Sequence, residues 1–226
     1  MIRPRRLFPF VAAFLLAGLA ACQPAAAAHE GVRLPSPVVD AAPSTAHDEV
    51  AVLAGGCFWG IEAVFEHVKG VRKVTAGYSG GTASTAHYDE VSGGDTGHAE
   101  SVQVEFDPSR VSYGTLLQVF FSVALNPTEL NRQGPDRGTQ YRSVIFYGND
   151  EQKKIATDYI AQLTAAHAFA APIVTQVVPL TAFYPAEAYH QHYYDLHPRN
   201  PYIVINDAPK VAHLQRLFPE LYQAAL

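Results

Sequence analysis

Cys57, one of two cysteines in the chain, lies in the segment Gly55-Gly-Cys-Phe-Trp-Gly60. A short apolar run precedes this segment and a helical pattern follows it. The sulfur is therefore predicted at a helix start, where free backbone amides and the helix dipole favour a thiolate. The flanking glycines leave space for a substrate beside the sulfur. Because a lone cysteine is more often buried and inert, the spacing alone leaves a reactive and an inert thiol as equal alternatives.

A glutamate on the core side of a predicted strand is the second candidate. Residues 100–106 alternate strictly, so that Glu100 shares one face with the apolar residues of this strand. A carboxyl group buried on that face has a raised pKa, stays protonated near neutral pH and can donate a proton. Most glutamates keep their carboxylate in water, so an exposed side chain at the end of the strand is the alternative.

The elements that position both residues follow the order βαββαβ. The strands are predicted at 50–54, 71–78, 100–106 and 143–147, and the two helices at 61–68 and 116–124. This order predicts an α+β fold of the ferredoxin-like type, a two-layer sandwich with helices on one face of a sheet. A third helix at about 150–169 and a further strand at about 173–178 extend this core. The remaining C-terminal tail is predicted to be aromatic-rich and irregular until a helix at about 210–218.

Composition excludes several classes of function. The chain has 226 residues, 48% of them hydrophobic, and a formal net charge of −5. This length fits one domain or at most two, and the hydrophobic share is that of a folded protein. A net negative chain without a block of Lys and Arg is poorly suited to nucleic acid. Two cysteines cannot form a disulfide framework or a four-thiolate zinc site.

The N-terminal segment has the features of an export signal. Three arginines precede an apolar run over 7–20, which is shorter than the ~20 residues of a membrane-spanning helix. The run ends in Leu19-Ala-Ala-Cys22, which resembles the lipobox of bacterial lipoproteins. That resemblance implies that Cys22 is lipidated and becomes the first residue of the mature chain. Ordinary signal cleavage near 25–28, with loss of Cys22, is the alternative.

These features divide the chain into three parts. Residues 1–21 are predicted as a signal peptide, 22–48 as a flexible tether rich in Ala, Pro and Ser, and 49–226 as a single folded domain. The expected location is the bacterial cell envelope or periplasm, with a lipid on Cys22 as the only membrane attachment. In either processing scheme Cys22 is not a thiol of the folded domain.

Six blocks of sequence extend the pattern around Cys57 and Glu100. They are Gly56-Cys-Phe-Trp-Gly60, Gly77-Tyr-Ser-Gly-Gly81, Tyr88-Asp-Glu-Val91, Ser92-Gly-Gly-Asp-Thr-Gly-His-Ala-Glu100, Gln133-Gly-Pro-Asp-Arg-Gly-Thr-Gln-Tyr-Arg-Ser143 and Phe183-Tyr-Pro-Ala-Glu-Ala-Tyr-His-Gln-His-Tyr193. In this order they resemble the methionine sulfoxide reductase A family. The resemblance implies an enzyme that reduces the S-epimer of methionine sulfoxide, free or in proteins, to methionine.

The resemblance also implies a role for each site residue. Cys57 attacks the sulfoxide sulfur and ends as a sulfenic acid, while Glu100 protonates the sulfoxide oxygen. Phe58 and Trp59 enclose the methyl group of the substrate. The remaining members are two tyrosines that donate hydrogen bonds to the oxygen and an aspartate that orders that side of the pocket: Tyr88, Tyr141 and Asp136. No metal ion or bound organic cofactor is implied.

The chain departs from the commoner family pattern in its C-terminal region. Many members carry resolving cysteines there, whereas this chain has no cysteine after Cys57 and resembles the one-cysteine variant. The implied partner is therefore an external thiol, such as a thioredoxin-like protein, glutaredoxin, glutathione or dithiothreitol. A smaller departure is Leu125-Asn126, where many members have His-Asp, and the sequence offers no account of its effect. A monomer is the simplest expectation.

Three histidines lie close together in the aromatic-rich region. Because residues two apart on a helix point in different directions, His190 and His192 are poor joint ligands, and the group with His197 is predicted as a polar surface rather than a metal site. Two other classes of function stay open from the residues alone. One is a single-cysteine thiol peroxidase, and the other is a non-catalytic surface lipoprotein that holds an apolar ligand on its aromatic side chains.

Overall fold

The computed structural model describes residues 31–42 and 48–225 of the chain. Its strands are β1 (Glu49–Ala54), β2 (Val71–Ser79), β3 (Ala99–Phe106), β4 (Arg132–Gln133), β5 (Asp136–Arg137), β6 (Val144–Tyr147), β7 (Gln176–Pro179) and β8 (Phe183–Pro185). Its helices are α1 (Phe58–Glu66), α2 (Tyr88–Val91), α3 (Tyr113–Val119), α4 (Asp150–Ala165), α5 (Tyr193–Leu196) and α6 (Ala208–Leu217). Short 3₁₀ and π turns join several of these elements.

Four antiparallel strands form the centre of one sheet, in the order β6-β1-β3-β2. This order arises when two strands joined through a helix enclose a third strand, as in the split βαβ arrangement. Apolar residues of α1, α3 and α4 pack with one face of β1, β2 and β3 in a single core cluster. The predicted α+β, ferredoxin-like fold is confirmed.

The C-terminal region extends the sheet at both edges, with the strand predicted at about 173–178, observed as β7, and with β8, which was not predicted. β7 lies parallel to β6 at one edge of the sheet, and β8 pairs antiparallel with β2 at the other. Both additions cover the backbone groups that an edge strand would leave unpaired. The loop between β2 and β3 also contains the short helix α2, which carries a residue of the candidate site.

Residues 31–42 differ from the flexible tether predicted for this region. Leu34 is buried in the main core. Its N–H donates to Ser122 Oγ at 3.1 Å, and its carbonyl accepts from Gln118 Nε2 at 2.7 Å. Tyr159 Oη donates to the carbonyl of Pro35 at 2.8 Å. An extended segment cannot form hydrogen bonds between its own backbone groups, and here side chains of the helices provide the partners. The segment therefore packs on the folded domain.

The predicted signal peptide and Cys22 lie outside the described residues. Within 31–42 and 48–225, every helix is too short or too polar to cross a membrane.

Candidate active site

Cys57 is the N-cap residue of α1, directly after the turn that follows β1. The turn depends on Gly56, whose φ of +98° is rarely adopted by residues with a side chain. A Cβ atom at Gly56 would also lie 2.7 Å from the Cβ atom of Gln133. The glycine therefore allows the chain to reverse sharply, and the sulfur is held at the start of a helix that packs on the sheet.

Glu100 is buried beside this helix start, with 2% of its surface exposed. It lies on β3, and its Oε2 accepts a hydrogen bond of 3.0 Å from the backbone N–H of Phe58. Burial raises the pKa of Glu100 to about 8, while the N–H of Phe58 and the thiol of Cys57 oppose that shift. The carboxyl group is therefore neutral at pH 7 and can donate a proton.

The thiol of Cys57 does not have the lowered pKa that the helix start predicts. Burial raises the pKa of Cys57 well above its usual value, and the carboxyl groups of Glu100 and Asp207 raise it further. The backbone N–H of Trp59 lowers this pKa, in the direction expected for a helix N-terminus. The prediction of a stabilised thiolate is wrong for the resting site, because desolvation and neighbouring acids outweigh the helix.

Two tyrosine hydroxyl groups lie close enough to interact electrostatically with the same thiol and carboxyl group. Burial, Glu100 and Cys57 raise the pKa of Tyr88, which lies on α2. Burial and Glu100 also raise the pKa of Tyr141, with smaller effects of Asp136 and Cys57. Both hydroxyl groups keep their protons at neutral pH, so both are hydrogen-bond donors. The position of α2 is fixed by the carboxylate of Glu187, which accepts from the backbone N–H of Tyr88 at 2.9 Å.

Asp136 closes the polar side of the pocket from the β4–β5 hairpin. Its Oδ2 accepts a hydrogen bond from Tyr202 Oη at 2.5 Å. Burial raises the pKa of Asp136, and the bond from Tyr202 and the charge of Lys210 partly offset that effect. The aspartate therefore connects the hairpin to the C-terminal region, and it holds the ring of Tyr202 near the thiol.

Phe58 and Trp59 form an aromatic wall in the first turn of α1. The indole ring of Trp59 stacks on Tyr193 with ring centroids 3.7 Å apart and planes 7° from parallel. Trp59 Nε1 donates to Nδ1 of His190 at 3.2 Å, and the ring of His190 lies 5.0 Å from that of Phe58. The wall is therefore fixed in place by side chains from the C-terminal region.

Sequence reasoning missed the residues that support this wall. His190 is not part of a polar surface, since only 2% of it is exposed, and burial lowers its pKa so that it stays neutral. Tyr193 and Tyr202 were predicted only as members of an irregular, aromatic-rich tail. The signal available was the density of aromatic residues in that tail, which exceeds what a solvated loop needs.

Leu125 and Asn126, which stand where many family members have His-Asp, lie beside the turn that carries Cys57. Leu125 is buried, and a Cβ atom at Gly55, in the turn that carries Cys57, would lie only 3.1 Å from its Cδ1 atom. The backbone N–H and carbonyl of Asn126 bond to the side-chain amide of Gln133, at 2.9 Å and 2.7 Å. These two residues thus support the turn, and both also line the pocket that leads to Cys57.

The structure brings together every predicted site residue that lies in its described part: Cys57, Phe58, Trp59, Tyr88, Glu100, Asp136 and Tyr141. A buried thiol, a neutral carboxyl group beside it and an aromatic wall define a thiol-based oxidoreductase with a built-in proton donor, on a ferredoxin-like α+β fold.

Comparison with known proteins identifies the family. Residues 49–221 match the family described as peptide methionine sulfoxide reductase. The peptide methionine sulfoxide reductase MsrA 2 of Mesorhizobium japonicum is 60% identical over 174 residues, which cover 77% of this chain and 89% of that protein. The corresponding protein of Synechocystis is 51% identical over 194 residues, covering 84% and 91%.

A solved structure shows the same relationship. Mxr1 from Saccharomyces cerevisiae in its reduced form is 35% identical, with a TM-score of 0.59 over 70% of this chain and 91% of that chain. The present chain belongs to the peptide methionine sulfoxide reductase family. The predicted enzyme class, peptide-methionine (S)-S-oxide reductase, is confirmed at the level of the family.

Proposed function

We propose that this protein reduces methionine (S)-sulfoxide, free or in proteins, with Cys57 as the nucleophile and Glu100 as the proton donor. The observation that carries this proposal is the buried carboxyl group of Glu100, fixed on the N–H of Phe58 next to the thiol. A sulfoxide oxygen leaves only after it accepts protons, so the reaction needs a neutral acid opposite the attacking sulfur.

In the first step the thiol of Cys57 is itself the reductant, so that no other oxidant or reductant is needed. Glu100 gives its proton to the sulfoxide oxygen and takes up the thiol proton of Cys57, whose side chain contacts it. The sulfur of Cys57 bonds to the sulfoxide sulfur. The hydroxyl group then moves from the substrate sulfur to the sulfur of Cys57 as the bond between the two sulfur atoms breaks, which leaves methionine and a Cys57 sulfenic acid. The hydroxyl groups of Tyr88 and Tyr141 stabilise the charge that develops on the oxygen.

The aromatic wall supplies the apolar half of the site. Phe58 and Trp59 are held rigidly by Tyr193 and His190, so a methyl group placed against them loses its contact with water at little entropic cost. A thioether methyl on one side and a hydrogen-bonded oxygen on the other fix the configuration at sulfur. This arrangement supports selection of one sulfoxide epimer.

Regeneration requires a thiol from outside the chain. No cysteine follows Cys57 in the sequence, and a pocket of about 450 Å³ gives access to Cys57 between Gln133, Asp136, Tyr202 and Lys210. Two equivalents of an external thiol convert the sulfenic acid into the free thiol, one disulfide and water. We propose a thioredoxin-like protein or a small thiol such as glutathione as this reductant, with dithiothreitol as its laboratory substitute.

We also propose that the enzyme acts outside the cytoplasm, on oxidised proteins of the cell envelope, and is attached through a lipid on Cys22. This part of the proposal rests on the arginines, the apolar run and the Leu19-Ala-Ala-Cys22 sequence.

A single-turnover experiment tests the central proposal. The purified protein is mixed with a peptide that contains both epimers of methionine sulfoxide, without a reductant. We expect loss of the S-epimer only, one added oxygen on Cys57 by mass spectrometry, and labelling of that residue by dimedone. Cys57→Ser should form no methionine, while Cys22→Ser should behave as the unchanged protein.

Three results would contradict the proposal. Equal loss of both epimers would remove the stereochemical assignment. Consumption of peroxide without consumption of sulfoxide would identify a thiol peroxidase instead. A disulfide between Cys22 and Cys57 after turnover would show that the regenerating thiol lies within the chain.

A further inference from the structure

Two buried carboxyl groups lie on α1 outside the catalytic set. Glu62 and Glu66 are one helical turn apart, and their exposed fractions are 0% and 1%. Neither forms an ion pair with a lysine or arginine in the described part of the chain. A buried acidic pair of this kind is costly unless a cation, a proton or hydrogen-bond donors compensate for it.

Three of the four carboxyl oxygens lack a hydrogen-bond partner. Both oxygens of Glu62 and Oε2 of Glu66 are buried without one among the described residues. The backbone amides of His192, Tyr193 and Ala76 lie near Glu62, but none of them forms a hydrogen bond of normal geometry with its carboxyl oxygens. The compensation that the protein itself provides is therefore incomplete.

His192 completes the cluster from the C-terminal region. Its Nδ1 lies 2.5 Å from Oε1 of Glu66, and the ligand atoms of all three residues lie within 4.8 Å of one another. The side chain of His192 is 55% exposed, so solvent and ions reach the cluster from that side. Asp195 adds a further negative charge close to Glu66.

We propose that Glu62, Glu66 and His192 form a binding site for one divalent transition-metal ion of the Zn²⁺ type. One imidazole nitrogen with carboxylate oxygens is a donor set that suits Zn²⁺ better than Mg²⁺ or Ca²⁺, which prefer oxygen alone. Bond lengths of about 2.0–2.2 Å require the ligand atoms to be roughly 3.4 Å apart. Small side-chain rotations achieve this from the observed spacing, and water completes the coordination.

The proposed site is separate from the redox chemistry but connected to the aromatic wall. His192 directly precedes Tyr193, whose ring stacks on Trp59 at 3.7 Å. An ion bound to His192 restrains Tyr193 and with it the wall that receives the substrate methyl group. The ion thus acts on substrate binding and takes no part in electron transfer.

Trp59 provides a direct readout, because it is the only tryptophan of the chain. Thiols also bind zinc, so the measurement uses the full chain with Cys22→Ser and Cys57→Ser and without a histidine tag. Titration with ZnCl₂ is followed by calorimetry and by Trp59 fluorescence. We expect one Zn²⁺ per chain and a shift of the Trp59 emission that saturates at the same ratio. MgCl₂ in excess should not compete.

The structure offers an unusually close control. His192 and His167 are both exposed histidines with a left-handed backbone, at φ values of 53° and 48°, and asparagine tolerates that conformation. His192→Asn should weaken Zn²⁺ binding by more than ~10-fold, the loss that even indirect partners cause. His167→Asn should leave it unchanged. Glu66→Gln should weaken binding like His192→Asn while circular dichroism shows a folded chain.

Two outcomes overturn the proposal. One is the absence of Zn²⁺ uptake by the thiol-free protein, which would mean that the buried oxygens share a proton only. The other is equal Zn²⁺ affinity of His192→Asn and His167→Asn, which would place the ion elsewhere.

Discussion

The backbone N–H of Phe58 donates a hydrogen bond of 3.0 Å to Oε2 of Glu100, so the acid is attached to the same helical turn that begins at Cys57. This relationship follows from strand register. Ala54 at the end of β1 pairs with Ser101 of β3, and Glu100 therefore lies just beyond the point where the chain leaves the sheet for Cys57. A slip of one residue would turn Glu100 to the opposite face.

The first prediction concerns Glu100 as an acid. Glu100→Gln should lower the single-turnover rate of methionine formation at pH 7 by about 10²- to 10⁴-fold, because the amide cannot give up a proton. The measurement is a rapid-quench assay with a methionine sulfoxide peptide. Glu105→Gln, on the opposite face of the same strand, is the matched control and should retain the rate of the unchanged enzyme.

The pH dependence of the same step follows from the raised pKa of Glu100. The protonated form is the active one, so the rate should be highest below the pKa of about 8 and should fall as the pH rises through it. The rate of Glu100→Gln should be low at every pH and should not show this decrease above pH 8. If the variant shows the same decrease in rate at alkaline pH, the group that titrates is not Glu100.

The second prediction is that Glu100→Gln makes the thiol of Cys57 more reactive toward an alkylating agent, although the same change slows sulfoxide reduction. Burial is the largest cause of the raised pKa of Cys57, followed by the charge of Glu100. Glu100→Gln should therefore lower the pKa of Cys57 and speed its alkylation by iodoacetamide above pH 8, even though it slows sulfoxide reduction. The pH profile of alkylation, read by mass spectrometry, checks this. A profile identical to that of the unchanged enzyme would show that the two groups do not interact.

The third prediction tests the aromatic wall. Tyr193→Ala removes the ring stacked on Trp59 and should raise KM about 2- to 10-fold, which corresponds to the ~0.5–1.5 kcal/mol of an aromatic pair. The value of kcat should change little, since Cys57 and Glu100 are untouched. Tyr193→Phe keeps the ring and should keep KM; steady-state kinetics with dithiothreitol compare the two. Equal KM values for both variants would mean that stacking does not position Trp59.

The sequence predicted the parts of the site that depend on local patterns. Alternation along β3 placed Glu100 inside, and the apolar stripe after Gly55-Gly56 placed Cys57 at a helix start. It could not predict the raised pKa of the thiol, because that shift comes first from burial and then from the carboxyl groups of Glu100 and Asp207, all of which are set by distant parts of the chain. His190 was missed for the same reason, since its burial comes from rings contributed by separate elements.

The fourth prediction tests the packed N-terminal segment. Leu34→Ala should lower the free energy of unfolding by about 2–4 kcal/mol, because Leu34 is buried in the main core. Val38→Ala, at an exposed position of the same segment, should change it by less than ~0.5 kcal/mol. Urea denaturation followed by circular dichroism measures both. Equal stability of the two variants would mean that the segment does not belong to the folded unit.

If the proposed lipid on Cys22 is present, the packed segment limits how far the enzyme can work from a membrane. Gly31 is attached to α6 through a hydrogen bond of 3.2 Å to Nδ1 of His213, and His213 lines the pocket that leads to Cys57. Nine residue steps separate Cys22 from Gly31, and at full extension they cover about 30 Å. With a lipid on Cys22, Gly31 would stay within about 30 Å of the lipid, and the pocket beside α6 would stay correspondingly close to the membrane surface. The enzyme would then repair proteins of the membrane surface and would have to wait for those in free solution to diffuse to it.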